Sequence, residues 1–65
     1  MKENIILATA DVVGERFQWI ERDGQTGIYR PAKDSFEPIS RGDMVHSLTN
    51  EDLRVTKQGE EWLSK

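Results

Sequence analysis

The chain has 65 residues, no cysteine and a formal net charge of −3, with a pI near 5.0. A chain of this length buries only about 60% of its unfolded surface, so residues 1–65 are predicted to form one small domain of modest stability. The lack of cysteine excludes disulfides and thiolate metal sites. The acidic balance disfavours non-specific binding to phosphate backbones.

The N-terminal segment predicts a β-strand from Asn4 to Val13, because its residues alternate with both sides fairly apolar. Asp11 is expected to mark a bend or bulge before a second strand from about Val12 to Glu21. The apolar run from Ile5 to Ala10 is too short to span a membrane, and no export signal is visible. We therefore expect a cytoplasmic protein without a membrane segment.

Asp23-Gly24 predicts a β-hairpin, because this pair favours a two-residue type I′ turn in which both residues need φ > 0. Counting outward from that turn pairs Arg22 with Gln25 and Trp19 with Ile28. One face then collects Phe17, Trp19 and Ile28 as the candidate core. The opposite face collects Arg16, Gln18, Ile20, Arg22, Gln25 and Tyr29.

A longer loop from Asp23 to Thr26 is the alternative, and Gly27 would accommodate it. It would pair Trp19 with Arg30 and break up the apolar cluster, so the short turn is preferred.

The segment after the hairpin predicts a turn at Pro31–Asp34 and a short edge strand from Ser35 to Ile39 that Pro38 interrupts. A second turn is expected at Arg41–Asp43. The alternation of residues from Met44 to Leu48 then predicts another strand.

The last part of the chain begins with Thr49–Asp52, which fits a capping box and predicts the start of one helical turn. A brief strand is expected over Leu53–Thr56. Lys57–Ser64 predicts a short C-terminal helix, whose Trp62 and Leu63 must dock on the sheet for the helix to persist.

These short strands predict a mainly β fold: a small SH3-like barrel or a compact curved antiparallel sheet with a short C-terminal helix. The segment Gly24–Ile28 resembles the Gly-x-x-Gly-hydrophobic turn of SH3-like barrels, including the KOW type, and Glu51–Val55 looks like their closing turn and strand. Peptide-binding members of that family display an aromatic-rich groove, for which Tyr29 is the one candidate on the outer hairpin face.

A second resemblance covers Leu53–Leu63, which is similar to the last strand and following helix of winged-helix DNA-binding domains. That fold implies three earlier helices and a basic recognition helix. The first 45 residues show no convincing helical periodicity, so the winged helix is the less favoured alternative.

No catalytic or metal-binding constellation is apparent. His46 is the single histidine, and nucleophilic catalysis would need it beside Ser40 or Ser47 with a carboxylate such as Asp43. In the predicted strand, His46 and Ser47 point to opposite faces. No ligand spacing for a metal and no phosphate-binding glycine loop is found, so we predict no enzyme activity and no cofactor.

By elimination, the leading hypothesis is a non-catalytic binding or regulatory module that acts through protein contact, as small bacterial and phage proteins often do. A monomer or a homodimer fits this hypothesis, and the candidate partner-binding residues are Arg16, Gln18, Arg22, Tyr29, Arg30 and Trp62. The alternative is a nucleic-acid-binding small barrel, in which the three hairpin arginines contact phosphates and Tyr29 stacks a base. Trp62 is expected either in the core or, with Leu63, as an exposed anchor.

Overall fold

A computed structural model describes residues 4–64. Its elements are β1 (Asn4–Val12), β2 (Glu15–Arg22), β3 (Gln25–Arg30), a 3-10 turn (Pro31–Lys33), β4 (Ser35–Pro38), α1 (Arg41–Asn50), β5 (Arg54–Val55) and α2 (Lys57–Leu63). The strands form one five-stranded antiparallel sheet in the order β4-β3-β2-β1-β5. The structure confirms the predicted mainly β class and the C-terminal helix. The strands β4 and β5 form the two edges of the sheet.

The Asp-Gly hairpin has the predicted register. Trp19 pairs with Ile28 and Arg22 pairs with Gln25. Asp23 and Gly24 have φ angles of 51° and 80°, the left-handed values that a type I′ turn requires. The short-turn prediction is therefore confirmed, and the longer loop does not occur.

A second tight turn at Val13-Gly14 was not predicted from the sequence. Val12 pairs with Glu15, and Val13 and Gly14 have φ angles of 51° and 78°. Valine is a poor residue for this conformation, because its branched Cβ crowds the backbone at positive φ. This unfavourable residue explains why no turn was predicted here.

Val13→Asn is expected to stabilise the protein by about 1 kcal/mol, because asparagine tolerates positive φ and Asn-Gly is a preferred type I′ pair. Val13 is 100% exposed, so the substitution removes no packing. A rise in the melting temperature of roughly 4–8 °C would accompany this gain in a domain of this size. Thermal unfolding followed by circular dichroism measures it, and an unchanged or lower melting temperature would contradict the expectation.

The bulge in β1 lies at Leu7-Ala8, not at the predicted position Asp11. Ile6 pairs with Ile20 and Ala8 with Trp19, so Leu7 is an additional residue in β1. Leu7 and Ala8 are both fully buried in the same cluster. The bulge therefore turns two consecutive side chains toward the core, a pattern that strict alternation cannot anticipate.

The strand predicted over Met44–Leu48 is wrong, since these residues lie within α1. Ser40 is the N-cap and accepts a hydrogen bond from the amide of Asp43 at 3.1 Å. Met44 and Leu48 are both buried one helical turn apart. The pattern that suggested alternation thus matches helical i, i+4 spacing equally well, and the predicted turn at Arg41–Asp43 is the first turn of α1.

The predicted helix start at Thr49–Asp52 is also wrong, because α1 ends there. The Thr49 hydroxyl donates to the carbonyl of Val45 at 2.8 Å rather than capping a new helix. The next helix, α2, begins after Thr56, whose hydroxyl accepts from the amide of Gly59 at 3.0 Å. The predicted brief strand and short C-terminal helix are otherwise confirmed.

The main core lies between the sheet and the two helices. It consists of Leu7, Ala8, Trp19, Met44, Leu48 and Trp62. Phe17 and Ile28 pack against this cluster, as the hairpin register predicted. No helix among residues 4–64 is long and apolar enough to cross a membrane.

Candidate functional site

The face of the sheet opposite this helix-packed core is the candidate site, and we call it the open face. Antiparallel partners point to the same side of a sheet, so the register defines its members. One row crosses all five strands and consists of Arg54, Thr9, Gln18, Tyr29 and Phe36. The other paired members on β1 to β4 are Asn4, Ile6, Asp11, Arg16, Ile20, Arg22, Gln25, Gly27 and Pro38.

A small aromatic cluster organises this face. The guanidinium carbon of Arg22 lies 5.3 Å from the ring centre of Tyr29 and 4.9 Å from that of Phe36. The Phe36 ring also lies against Gly27, where an added Cβ would be only 2.6 Å from the ring. Ile20, the neighbour of Gly27 on β2, is fully buried. Long side chains therefore cover the apolar centre of the open face, and Arg22 forms part of that cover.

Tyr29 and Arg22 are each held by a hydrogen bond. The Tyr29 hydroxyl donates to Asp34 Oδ1 at 2.6 Å, and Arg22 Nε donates to Asn4 Oδ1 at 2.8 Å. The aromatic cluster is consequently ordered before any partner arrives, which lowers the entropic cost of binding.

The hydrogen bond from Tyr29 to Asp34 raises the pKa of the Tyr29 phenol above its ordinary value, with desolvation adding in the same direction. Asp34→Asn is expected to lower that pKa, because the amide carries no charge. Asparagine also suits position 34, which has φ 48°. Tyr29 is the single tyrosine of the chain, so alkaline titration of phenolate absorbance reports this group alone. Equal titration curves for the two proteins would contradict the expectation.

The other two arginines of the open face have weaker partners. Arg16 Nε lies 3.4 Å from Asp11 Oδ1, and both side chains are 64% exposed. Arg54 is exposed, and within residues 4–64 its side chain forms no hydrogen bond or ion pair. The exposed Arg16–Asp11 ion pair contributes little to stability. The guanidinium groups of Arg16 and Arg54 are therefore free to contact a partner.

The charge of the molecule differs between its two sides. The inner strands of the open face and Arg54 carry three arginines and one carboxylate, Asp11, with no lysine or glutamate. The Asp34 carboxylate also lies at this face, at the Tyr29 hydroxyl. The exposed carboxylates on or beside the helices are Asp43, Glu51, Asp52, Glu60 and Glu61. The acidic pI thus conceals a locally cationic surface.

Two of the predicted partner-binding residues lie elsewhere. Arg30 pairs with Ser35 on the helix-packed side and donates two hydrogen bonds to the Glu15 carboxylate, at 2.7 and 2.8 Å. Trp62 is 5% exposed and packs in the core, with Arg41 stacked 4.8 Å from its ring centre. The structure therefore brings Arg16, Gln18, Arg22 and Tyr29 together and separates Arg30 and Trp62 from them. Of the two positions expected for Trp62, the core is the one observed and the exposed anchor is not.

The Glu15–Arg30 pair predicts a dependence of stability on pH. The hydrogen bonds from Arg30 lower the pKa of Glu15 below its ordinary value. A lowered carboxylate pKa gives a stabilisation that is present above the unfolded pKa, about 4.3, and is lost as pH falls through the folded value. Glu15→Gln should therefore be less stable than wild type at neutral pH, and urea midpoints of the two proteins should converge on acidification. A difference that is independent of pH would contradict this.

Phe36 and Arg54, an aromatic and a cationic member of the open face, were not assigned to that face from the sequence. Phe36 lies in the edge strand before Pro38, and Arg54 lies in a strand of two residues. Phe36 could have been found by extending the hairpin register across the turn at Pro31, whereas the pairing of Arg54 with Thr9 has no local signal.

A shallow groove of about 550 Å³ adjoins this surface along the outer edge of β1. Its lining residues are Asn4, Ile5, Ile6, Thr9, Thr56 and Gln58. None of these side chains is charged, so the groove offers apolar contact and neutral hydrogen-bonding groups.

Groups suited to catalysis are dispersed. His46 is exposed on α1 beside Asn50, whereas Ser47 is buried and donates to Glu51 at 3.1 Å. Among residues 4–64, no group of three or more histidine or carboxylate side chains is placed to hold a metal ion. Neither the surroundings of His46 nor those of Ser47 bring a nucleophile, a base and an orienting acid together.

Comparison of the chain with protein-family models, curated proteins and solved structures finds no match.

Proposed function

We propose that this protein is a non-catalytic binding module that contacts another protein through its open face. The observation that carries the proposal is the composition of that face: arginine and aromatic side chains surround a covered apolar centre, while lysine and glutamate are excluded from the paired positions. Interface centres are enriched in arginine, tyrosine and phenylalanine and depleted in lysine and glutamate.

The order of the aromatic cluster supports the same function. Arg22 is fixed by two rings and by Asn4, and Tyr29 is fixed by Asp34. Side chains that are already immobilised lose little conformational entropy when a partner binds.

Single-stranded nucleic acid is the second candidate, favoured by three arginines on the same face as Tyr29, a face that no helix of residues 4–64 covers. One feature weighs against it: Arg22 already stacks on Tyr29 and Phe36, so these two rings are not free to stack on a base. We therefore rank protein contact first.

Affinity capture from a cell extract tests the proposal when it includes variants of the surface. The wild-type chain is compared with Arg16→Gln/Arg54→Gln, which removes two exposed guanidinium groups, and with Lys33→Gln/Lys57→Gln, which removes the same charge elsewhere. We expect a saturable protein partner that the lysine variant retains and the arginine variant binds more weakly. Capture that is equal for all three proteins would overturn the proposal.

A further inference from the structure

We propose that the open face binds an acidic, extended segment of a protein partner. This inference rests on the proposed function and names the chemistry of its partner.

The arginines on the two sides of the sheet have different partners. Arg30, on the helix-packed side, is neutralised by two hydrogen bonds to Glu15. On the open face, Arg16 has one long contact to Asp11, and the Arg54 side chain has no polar partner within residues 4–64. Guanidinium groups recognise carboxylates through paired, charge-assisted hydrogen bonds, and here those donors are left unused.

Arg22 adds a third guanidinium group in a fixed position. Its Nε donates to Asn4, while within the described residues its terminal nitrogens form no hydrogen bond. Because the group is stacked on two rings, its donors are presented at a defined place on the sheet.

The spacing of these groups indicates the shape of the partner. Arg16 and Arg22 are six residues apart on β2, which corresponds to about 20 Å along a strand. Arg54 lies across the sheet from Gln18, two strands away, at a separation of about 10 Å. One carboxylate cannot reach all three arginines, whereas an extended segment with several acidic residues can.

The negative charge on the helix side of the molecule favours binding of an acidic segment at the open face. The helices and the loop between α1 and β5 expose carboxylates, including Glu51, Glu60 and Glu61. An acidic segment is repelled from that side and attracted to the open face, so the field of the whole molecule favours binding there.

A selection from a library of random short peptides tests the inference. Wild-type protein is the bait, and selected peptides are then measured by fluorescence anisotropy against wild type, Arg16→Gln/Arg54→Gln and Lys33→Gln/Lys57→Gln. Arg22 is left unchanged because it also stacks on Tyr29 and Phe36, and circular dichroism confirms that each variant is folded. An oligothymidylate of matched length is measured in parallel.

We expect selected peptides rich in aspartate and glutamate, with affinity that falls as salt rises. Binding should weaken roughly two- to fivefold for each arginine removed, and the lysine variant should bind almost as wild type does.

Selected peptides without acidic residues, but still sensitive to the arginine variant, would overturn the acidic partner and leave protein contact through the open face intact. Peptides that bind all three proteins equally would overturn both. No selected peptide would overturn the inference, and the proposed function would then depend on the capture experiment. Oligothymidylate that binds more tightly than any peptide, and only with Arg16 and Arg54 present, would assign the face to nucleic acid.

Discussion

Gly59→Ala is expected to destabilise the protein by roughly 3 kcal/mol or more, although alanine is ordinarily the better helix residue by about 1 kcal/mol. Gly59 is buried in the first turn of α2, where the helix backbone packs directly on β1. A Cβ at this position would overlap the carbonyl oxygen of Leu7 and crowd Val55. Because the obstacle is backbone in the middle of the sheet, the helix must move away from the sheet to accept it.

Gly42→Ala is the matched control. Gly42 also lies in the first turn of a helix, α1, but it is exposed, and the nearest atom to an added Cβ is 4.0 Å away. Here alanine should stabilise the protein by about 0.4–1 kcal/mol. Urea unfolding of both variants gives the two free energies, and effects of the same sign would contradict the close packing of α2 on β1.

Trp62→Ala is expected to cost about 3–5 kcal/mol and to leave much of the protein unfolded at room temperature, given the modest stability of so small a domain. The Trp62 side chain fills the core from α2 and carries Arg41 stacked on its outer side. Its removal would leave the half-buried Leu63 to hold α2 on the core, and a helix of seven residues is unstable alone.

Trp62→Phe separates the volume of the side chain from its polar group. Phenylalanine keeps an aromatic ring for Arg41 and omits the indole N–H, which is buried without a hydrogen-bond partner among residues 4–64. It should therefore cost much less than alanine. Urea unfolding followed by far-ultraviolet circular dichroism avoids the loss of tryptophan signal, and equal costs for the two variants would mean that Trp62 does not fill the core.

Elements with strong local signals were predicted well from the sequence. Asp23-Gly24 specifies its own turn, and that turn sets the pairing of Trp19 with Ile28 and the composition of both faces. Where the local signal is ambiguous, prediction failed. Met44 and Leu48 satisfy strand and helix periodicity alike, and the Ser40 cap that decides between them was not recognised.

The candidate site was predicted in part for the same reason. Arg16, Gln18, Arg22 and Tyr29 lie in the hairpin, so its register alone places them on one face. Arg54 joins them through pairing between β5 and β1, which are distant in sequence. Long-range pairing depends on the packing of α2 and on the bulge at Leu7-Ala8, and neither can be read from a single segment.

The attachment of Thr56 to β1 has a consequence for how the chain folds. Its hydroxyl donates to the carbonyl of Ile6 at 2.6 Å, across 50 residues of sequence, and its amide donates to Leu7 at 2.9 Å. The first four strands are joined by short connections and can pair early, whereas this last contact closes a loop of nearly the whole domain. During synthesis, the core therefore cannot be completed until Trp62 has emerged from the ribosome.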